Sequence, residues 1–324
     1  MSTDVRESLV LQAGSCRSLG SSQYLGLLDY MVDDFDREGP ISRLMAGRSS
    51  RPIHDALPLR LLGAVHRIAL RGEAPALASR FPSCGGDGAP VSFEDFVSTV
   101  LDNRSEVEIA LGEQVQTNEP RRSIAMVAVA RWLHGIGVDE FDLLELGSSA
   151  GLNQNFDRLG HEPPGSSPAA RCITRCGCDP FPLDPGDDDD ALRLMSFVWP
   201  DQTERMERLR TAIGVARHWP PRVTQESADL FLRRELSGTP SRPRIVFHSI
   251  VWQYLAPDVR DGVRHALRSS ARLNGSPVYW ARMEPAGPTA DVRVTVFGGG
   301  EPEETVLADV GYHGQDFVWR VQPD

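Results

Sequence analysis

Lysine is missing from this chain: none occurs among its 324 residues, and all 34 basic residues are arginine. That excludes a Walker-A lysine, a kinase strand lysine and a Schiff-base lysine for pyridoxal phosphate or an aldolase. Long apolar runs are missing too. No stretch approaches the roughly 20 residues of a membrane span, so a membrane is not an expected partner. The start, "MSTDVRESLVLQ", lacks the basic-then-apolar layout of a signal peptide. Cysteine is scarce: five residues, an odd number without an export signal, fit a reducing compartment, and the cytoplasm is the expected location. Positive charge is in short supply, since 45 acidic residues leave a net charge of −11. With the arginines scattered, nothing obvious neutralises phosphates, and nucleic acid is not an expected partner. Cys172, Cys176 and Cys178 form a C-x₃-C-x-C pattern without paired C-x₂-C geometry or a fourth ligand close in sequence, so no metal is expected.

What is present divides near residue 138. Residues 21–35 and 57–72 carry apolar residues at three- and four-residue spacing, and Gly72 is a natural stop. Ser92 followed by Asp95 resembles a capping box, and residues 120–137 open on Pro120 and end at Gly135 and Gly137. Residues 1–138 therefore read as an α-helical domain. Beyond them, 141–146, 244–250, 277–283, 292–297 and 316–321 read as strands, with helical stretches at 201–219 and 258–273. Alternating strand and helix predicts an α/β domain over 139–324 built on a parallel, doubly wound sheet. The acidic run Asp187 to Asp190 reads as a solvated loop.

The stretch "FDLLELGSSAGLN" (141–153) is a strand running into a glycine-spaced turn. In an open α/β sheet, ligands bind beyond the carboxyl ends of the strands, and such a turn lets backbone N–H groups face them. The shape acid-x-Gly-x-small-x-Gly falls on Glu145, Gly147, Ser149 and Gly151, with Asn153 following. The dinucleotide form Gly-x-Gly-x-x-Gly is not met. An S-adenosyl-L-methionine turn carries no pyrophosphate and tolerates the difference. The alternative is a tight strand-to-helix turn with no ligand. "GSSAG" also has the outline of a hydrolase elbow, with Ser149 as nucleophile.

Several long motifs, "QTNEPRR", "LLELGSSAGLN", "SFVWPDQTERMERL", "VFHSIVWQYL", "RMEP" and "YHGQDFVW", resemble a bacterial family known as domain of unknown function 2332. The resemblance runs from "SSQY" near Tyr24 to the end. The C-terminal half of that family resembles class I methyltransferases. The resemblance implies a Rossmann-like sheet with S-adenosyl-L-methionine as cofactor, and the N-terminal helical domain is expected to cover its cleft as a lid. Gln154 departs from the pattern, which has an apolar residue there. "RCGCDPFPL" resembles the end of the second methyltransferase strand and gives Asp179 as the acid for both ribose hydroxyls. "VTQESADLFL" resembles the third motif and gives Asp229 as the acid for the adenine amine, with helix capping as the alternative.

After the fourth strand, "HSIVWQYL" offers His248, Ser249, Gln253 and Tyr254 together. His248 is the candidate base, with packing under the sheet end as its alternative. Ser249 and Tyr254 stand with it as catalytic candidates, Trp252 and Tyr254 as aromatic surfaces for a sulfonium. Glu284 is a further catalytic candidate, able to orient an amine or to pair with Arg282. Gln116, Thr117, Asn118 and Glu119 form a polar cluster before a helix and, with Tyr24 and Gln253, are candidate substrate contacts. His313 and Gly314 lie in a late loop. Three functions remain open: methyl transfer to a small molecule, cyclisation or lysis of S-adenosyl-L-methionine releasing methylthioadenosine, and nucleoside binding without catalysis.

Overall fold

The computed structural model describes residues 3–274, 277–298 and 300–321. Its helices are α1 (Thr3–Ser18), α2 (Ser22–Asp36), α3 (Pro40–Met45), α4 (Leu57–Leu70), α5 (Pro75–Ala78), α6 (Phe93–Asp102), α7 (Arg104–Gly112), α8 (Ser123–Gly135), α9 (Asp188–Ser196), α10 (Thr203–His218), α11 (Ala228–Glu235) and α12 (Pro257–Asn274). Its strands are β1 (Glu140–Leu146), β2 (Arg171–Asp179), β3 (Val223–Gln225), β4 (Arg244–Ser249), β5 (Val278–Ala286), β6 (Thr289–Phe297), β7 (Glu303–Val310) and β8 (Val318–Trp319). The chain forms two compact units: residues 1–117 with 187–210, and residues 118–186 with 211–324.

The first unit is helical. Leu57, Leu61, Leu62, Val65 and Ile68 turn one stripe of α4 inward, and they pack with buried residues of α1, α2, α3, α6 and α7. Local chemistry sets the helix starts. The Ser92 hydroxyl accepts from Asp95 N–H at 3.1 Å, as the capping pattern predicts. The acidic run is largely exposed, as expected, but it is not a loop. Asp187 caps α9 by accepting from Asp189 and Asp190 N–H, and Asp188, Asp189 and Asp190 fill its first turn. Carboxylates there satisfy orphan N–H groups and complement the helix dipole, so the run begins a helix. His66 is fully buried and bridges α4 to its surroundings, with Nδ1 3.0 Å from the Ser196 carbonyl and Nε2 2.7 Å from the Ser83 hydroxyl.

The second unit is an eight-stranded sheet in the order β3-β2-β1-β4-β5-β6-β7-β8. β1 pairs in parallel with β2 and β4, as do β2 with β3 and β4 with β5. The pairs β5–β6, β6–β7 and β7–β8 are antiparallel, so the expected all-parallel sheet covers only five strands. The reason is local: Ala286 pairs with Thr289 across a tight hairpin, which leaves no length for a crossover helix. One face is covered by α8, whose Ile124, Met126, Val129 and Leu133 join Phe141, Leu143, Ile245 and Phe247. The other is covered by α11 and α12, whose Phe231, Leu232, Val263 and Leu267 join Leu144, Leu146, Val246 and Trp280. α8 thus belongs with the sheet, and the second unit begins ahead of the boundary expected at 138. Residues 187–210, expected within the sheet domain, belong to the helical unit.

Candidate functional site

β1 and β4 are neighbours at the middle of the sheet, yet one chain leaves toward β2 and the other toward β5. This is the switch point at which an open α/β sheet leaves a crevice beyond its carboxyl ends. Both strands end in strained backbone there. Ser149 has φ +54° and Ile250 φ +51°. For a β-branched residue such as Ile250 this region is a genuine outlier, and conformations of this kind cost about 1–3 kcal/mol each.

The turn after β1 requires its glycines. Gly147 has φ +63°, and a Cβ added there would lie 2.6 Å from a methyl of Val251. Gly151 has φ +69°, and its added Cβ would meet Pro221 at 2.7 Å. Asp179, at the end of β2, holds the turn: Ser149 N–H donates to Oδ2 at 2.9 Å and Phe181 N–H to Oδ1 at 2.8 Å. Asn118 accepts from Leu152 N–H at 2.9 Å. The turn does not open an α-helix. Residues Leu152–Arg158 form a 3₁₀ segment kinked at Asn155. Gln154, unexpected in an apolar position, is fully buried and closes a two-way bridge with the Arg222 backbone, accepting from its N–H at 3.1 Å and donating to its carbonyl at 3.3 Å.

Three buried polar atoms around this turn have no hydrogen-bond partner: Glu145 Oε2, Ser149 Oγ and Asn153 Oδ1. Burial pushes the Glu145 carboxyl up to about 8, against hydrogen bonds from Ser148 and Gln154, and the Asp179 charge adds to the rise. Ser149 Oγ has no base hydrogen-bonded to it, so the hydrolase-elbow alternative gains nothing from the geometry.

A second group lies on the other face of the sheet. Val246 packs toward α11 and α12, and His248, two residues on, continues that side. The His248 ring stacks on Trp252 at 5.4 Å and lies 5.8 Å from Trp280. Its Nδ1 is 2.6 Å from Glu284 Oε1, and its Nε2 is buried without a partner. Glu284 Oε1 also accepts from Val251 N–H at 2.9 Å and Trp252 N–H at 3.2 Å. Burial works to raise the Glu284 carboxyl, but the His248 ring and these two N–H groups hold it below the ordinary range. Glu284 pairs with His248 rather than with Arg282, whose guanidinium lies over Trp280 and bonds Thr295 and Glu304.

The predicted residues therefore do not form one cluster. Glu145, Gly147, Ser149, Gly151, Asn153, Asp179 and Asn118 gather at the turn, while His248 and Glu284 pair on the opposite face. Val251, which the sequence did not single out, bridges them: its N–H is held by Glu284 and its side chain abuts Gly147. Ser249 is buried at the end of β4, whereas Gln253 and Tyr254 are exposed, Tyr254 by 64%. Asp229 serves α11: its Oδ1 accepts from the Ser227 hydroxyl at 2.7 Å, and its Cβ would lie 2.6 Å from one on Gly262 of α12. Asp229 thus sits in the first turn of α11 and packs against α12, without a side-chain cap hydrogen bond at the N-cap Ser227. Tyr24 is buried in the helical core, 1% exposed, with its hydroxyl donating to the Leu62 carbonyl at 3.4 Å, so it is a packing residue rather than a substrate contact. Gln116 and Thr117 close the first segment of the helical unit, while Asn118 and Glu119 open the second unit, Glu119 capping the turn Pro120–Arg122 with His313 Nδ1 3.8 Å from its Oε2. Cys172, Cys176 and Cys178 lie along β2, their thiols pushed up by burial.

No curated protein and no solved structure matches the chain. Residues 6–165 and 159–319 match the family described as "Uncharacterized protein conserved in bacteria (DUF2332)". Since those two segments take in most of the sequence and both units, the chain belongs to that family.

Proposed function

We propose that this protein is an S-adenosyl-L-methionine-dependent methyltransferase acting on a small molecule, with the cofactor held at the turn after β1. The observation that carries the reading is the set of buried, unpartnered polar atoms, Glu145 Oε2, Ser149 Oγ and Asn153 Oδ1, around strained backbone at the switch point. Each such atom costs about 1–3 kcal/mol while unmade, a cost a ligand relieves. Asn153 Oδ1 is an acceptor, and so is Glu145 once ionised. They suit a ligand rich in N–H and O–H groups and positive charge. A phosphate is a poor match: the turn leads into a kinked 3₁₀ segment rather than a helix N-terminus, and the carboxylate of Asp179 stands beside it. The five-strand order β3-β2-β1-β4-β5 agrees with a nucleoside-binding half-sheet.

When bound, S-adenosyl-L-methionine supplies a methyl group on a positively charged sulfur. Asp179, whose carboxylate already fixes the turn at the end of β2, is the acid this reading assigns to the ribose diol. Glu145 Oε2 and Asn153 Oδ1 suit an ammonium group. His248, held by Glu284 on the other face of the sheet, is the base this reading assigns to the acceptor's proton, its Nε2 being buried without a partner. Calorimetric titration with S-adenosyl-L-methionine, ATP and NAD tests the binding half. Preference for either phosphate-bearing ligand, or no binding at all, would sink the reading. Product masses test the reaction: S-adenosylhomocysteine marks methyl transfer, and methylthioadenosine marks cyclisation or lysis.

A further inference from the structure

Glu284 gathers three donors onto one oxygen. His248 Nδ1 lies 2.6 Å from Oε1, Val251 N–H 2.9 Å and Trp252 N–H 3.2 Å, while Oε2 has no partner. Two consequences follow from the chemistry of those contacts. A carboxylate holding two backbone N–H groups is an acceptor, so the proton between it and His248 sits on Nδ1, and in the neutral ring this leaves the lone pair on Nε2. The same oxygen fixes the backbone of Val251, whose methyl group lies where any side chain on Gly147 would be. Ile250, one residue earlier, has φ +51°, with its own N–H held by the Met283 carbonyl at 2.9 Å.

We propose that Glu284 is a positioning residue: it orients His248 so that Nε2 receives a proton from a bound hydroxyl or amine, and it clamps residues 250–252 against the glycine turn. The methyl acceptor is then a compound that gives up an O–H or N–H proton, the bonding electron pair staying on the acceptor while an N–H bond forms at Nε2. The acceptor class rests on the methyltransferase reading; the positioning role does not.

The test uses the full-length protein without ligand. Nitrogen NMR of the neutral His248 ring in the wild type should give a protonated Nδ1 and an unprotonated Nε2. Glu284→Gln keeps an oxygen for the two N–H groups but loses the charge, and it should mix the two tautomers. Glu284→Ala removes the clamp, and amide exchange at Val251 and Trp252 should accelerate roughly tenfold or more, since hydrogen bonds to a charged group are the strong ones. If Glu284→Ala does not fold, Glu284→Gln still reports on the tautomer. A neutral wild-type ring with its proton on Nε2 rather than Nδ1, or a Glu284→Gln spectrum identical to the wild type, would overturn the proposal. A wild type with the expected tautomer and clamp that fails to bind S-adenosyl-L-methionine keeps the positioning role and removes the cofactor reading.

Discussion

Asp179 accepts from the N–H groups of Ser149 and Phe181, so its carboxylate holds the glycine turn before any ligand arrives. Read from sequence, an acid at a strand end in a cleft adds little to stability, and Asp179→Asn should affect binding alone. The two N–H donors change that expectation. An asparagine turns an NH₂ group toward one of them, so the variant should lose about 1–3 kcal/mol in a urea melt without ligand. Its affinity for S-adenosyl-L-methionine should fall roughly ten- to a hundredfold by calorimetry. Gly147→Ala meets both a left-handed backbone and a methyl of Val251 at 2.6 Å, so it should destabilise by more than about 1 kcal/mol. Val251→Ala in the same chain should recover part of that loss, because the two residues are in contact. A double variant no more stable than Gly147→Ala would mean that backbone conformation alone sets the cost. For His248→Ala, the rate should fall roughly 10²- to 10⁴-fold while cofactor affinity changes little. Equal losses in both would return the ring to packing against Trp252.

Helix α8 was legible as a helix from its apolar spacing, but not as part of the sheet unit. Its buried face touches β1, β4 and β5 residues that lie far along the chain, and no local pattern announces that. Leu133 is fully buried in this face, so Leu133→Ala should cost about 2–5 kcal/mol in the melt of the sheet unit. A loss under about 1 kcal/mol would mean that α8 is dispensable to that core. The same limit explains the other differences. β1, β4, β5 and β6 were legible because their apolar residues are dense. β7 opens on exposed Glu303 and Glu304 and becomes a strand only by pairing with β6. The Asp187 run could be read as a loop because capping and solvation use the same residue type; only the Asp189 and Asp190 N–H groups decide between them. At the site, the glycine turn and its acids stood out by composition. The His248–Glu284 pair spans 36 residues and the clamp on Val251 33, so the register between β4 and β5 was needed to find them.

The two units carry buried titratable groups with opposite pH responses. In the helical unit, burial pushes His66 down to about 4, with Arg210 adding to the fall and the Ser196 and Val198 backbone opposing it. The unfolded chain takes up a proton near 6.5, the native unit only near 4. Unfolding therefore binds a proton between those values, and the stability due to His66 is full above about 6.5 and lost as pH falls toward 4. In the sheet unit, Glu145 has the reverse sign. Its native carboxyl keeps a proton up to about 8, whereas the unfolded one releases it near 4.5. Unfolding releases a proton across that window, so the stability due to Glu145 is full below about 4.5 and lost as pH rises through 8. Each shift corresponds to a few kcal/mol, since one pKa unit is about 1.4 kcal/mol. Hydrogen exchange separates the units: α4 amides should lose protection between pH 6.5 and 4, and β1 amides between 4.5 and 8. Other groups titrate in the same range, so the decisive quantity is a difference between variants. The stability of wild type minus Glu145→Gln should fall across 4.5 to 8 and stay flat outside it. A cation bound at the turn should ionise Glu145, release its proton and move the end of that fall below 8. A difference that is flat throughout would mean that Glu145 is already ionised in the empty protein. Its unpartnered oxygen would then be a buried charge that only a cationic ligand relieves.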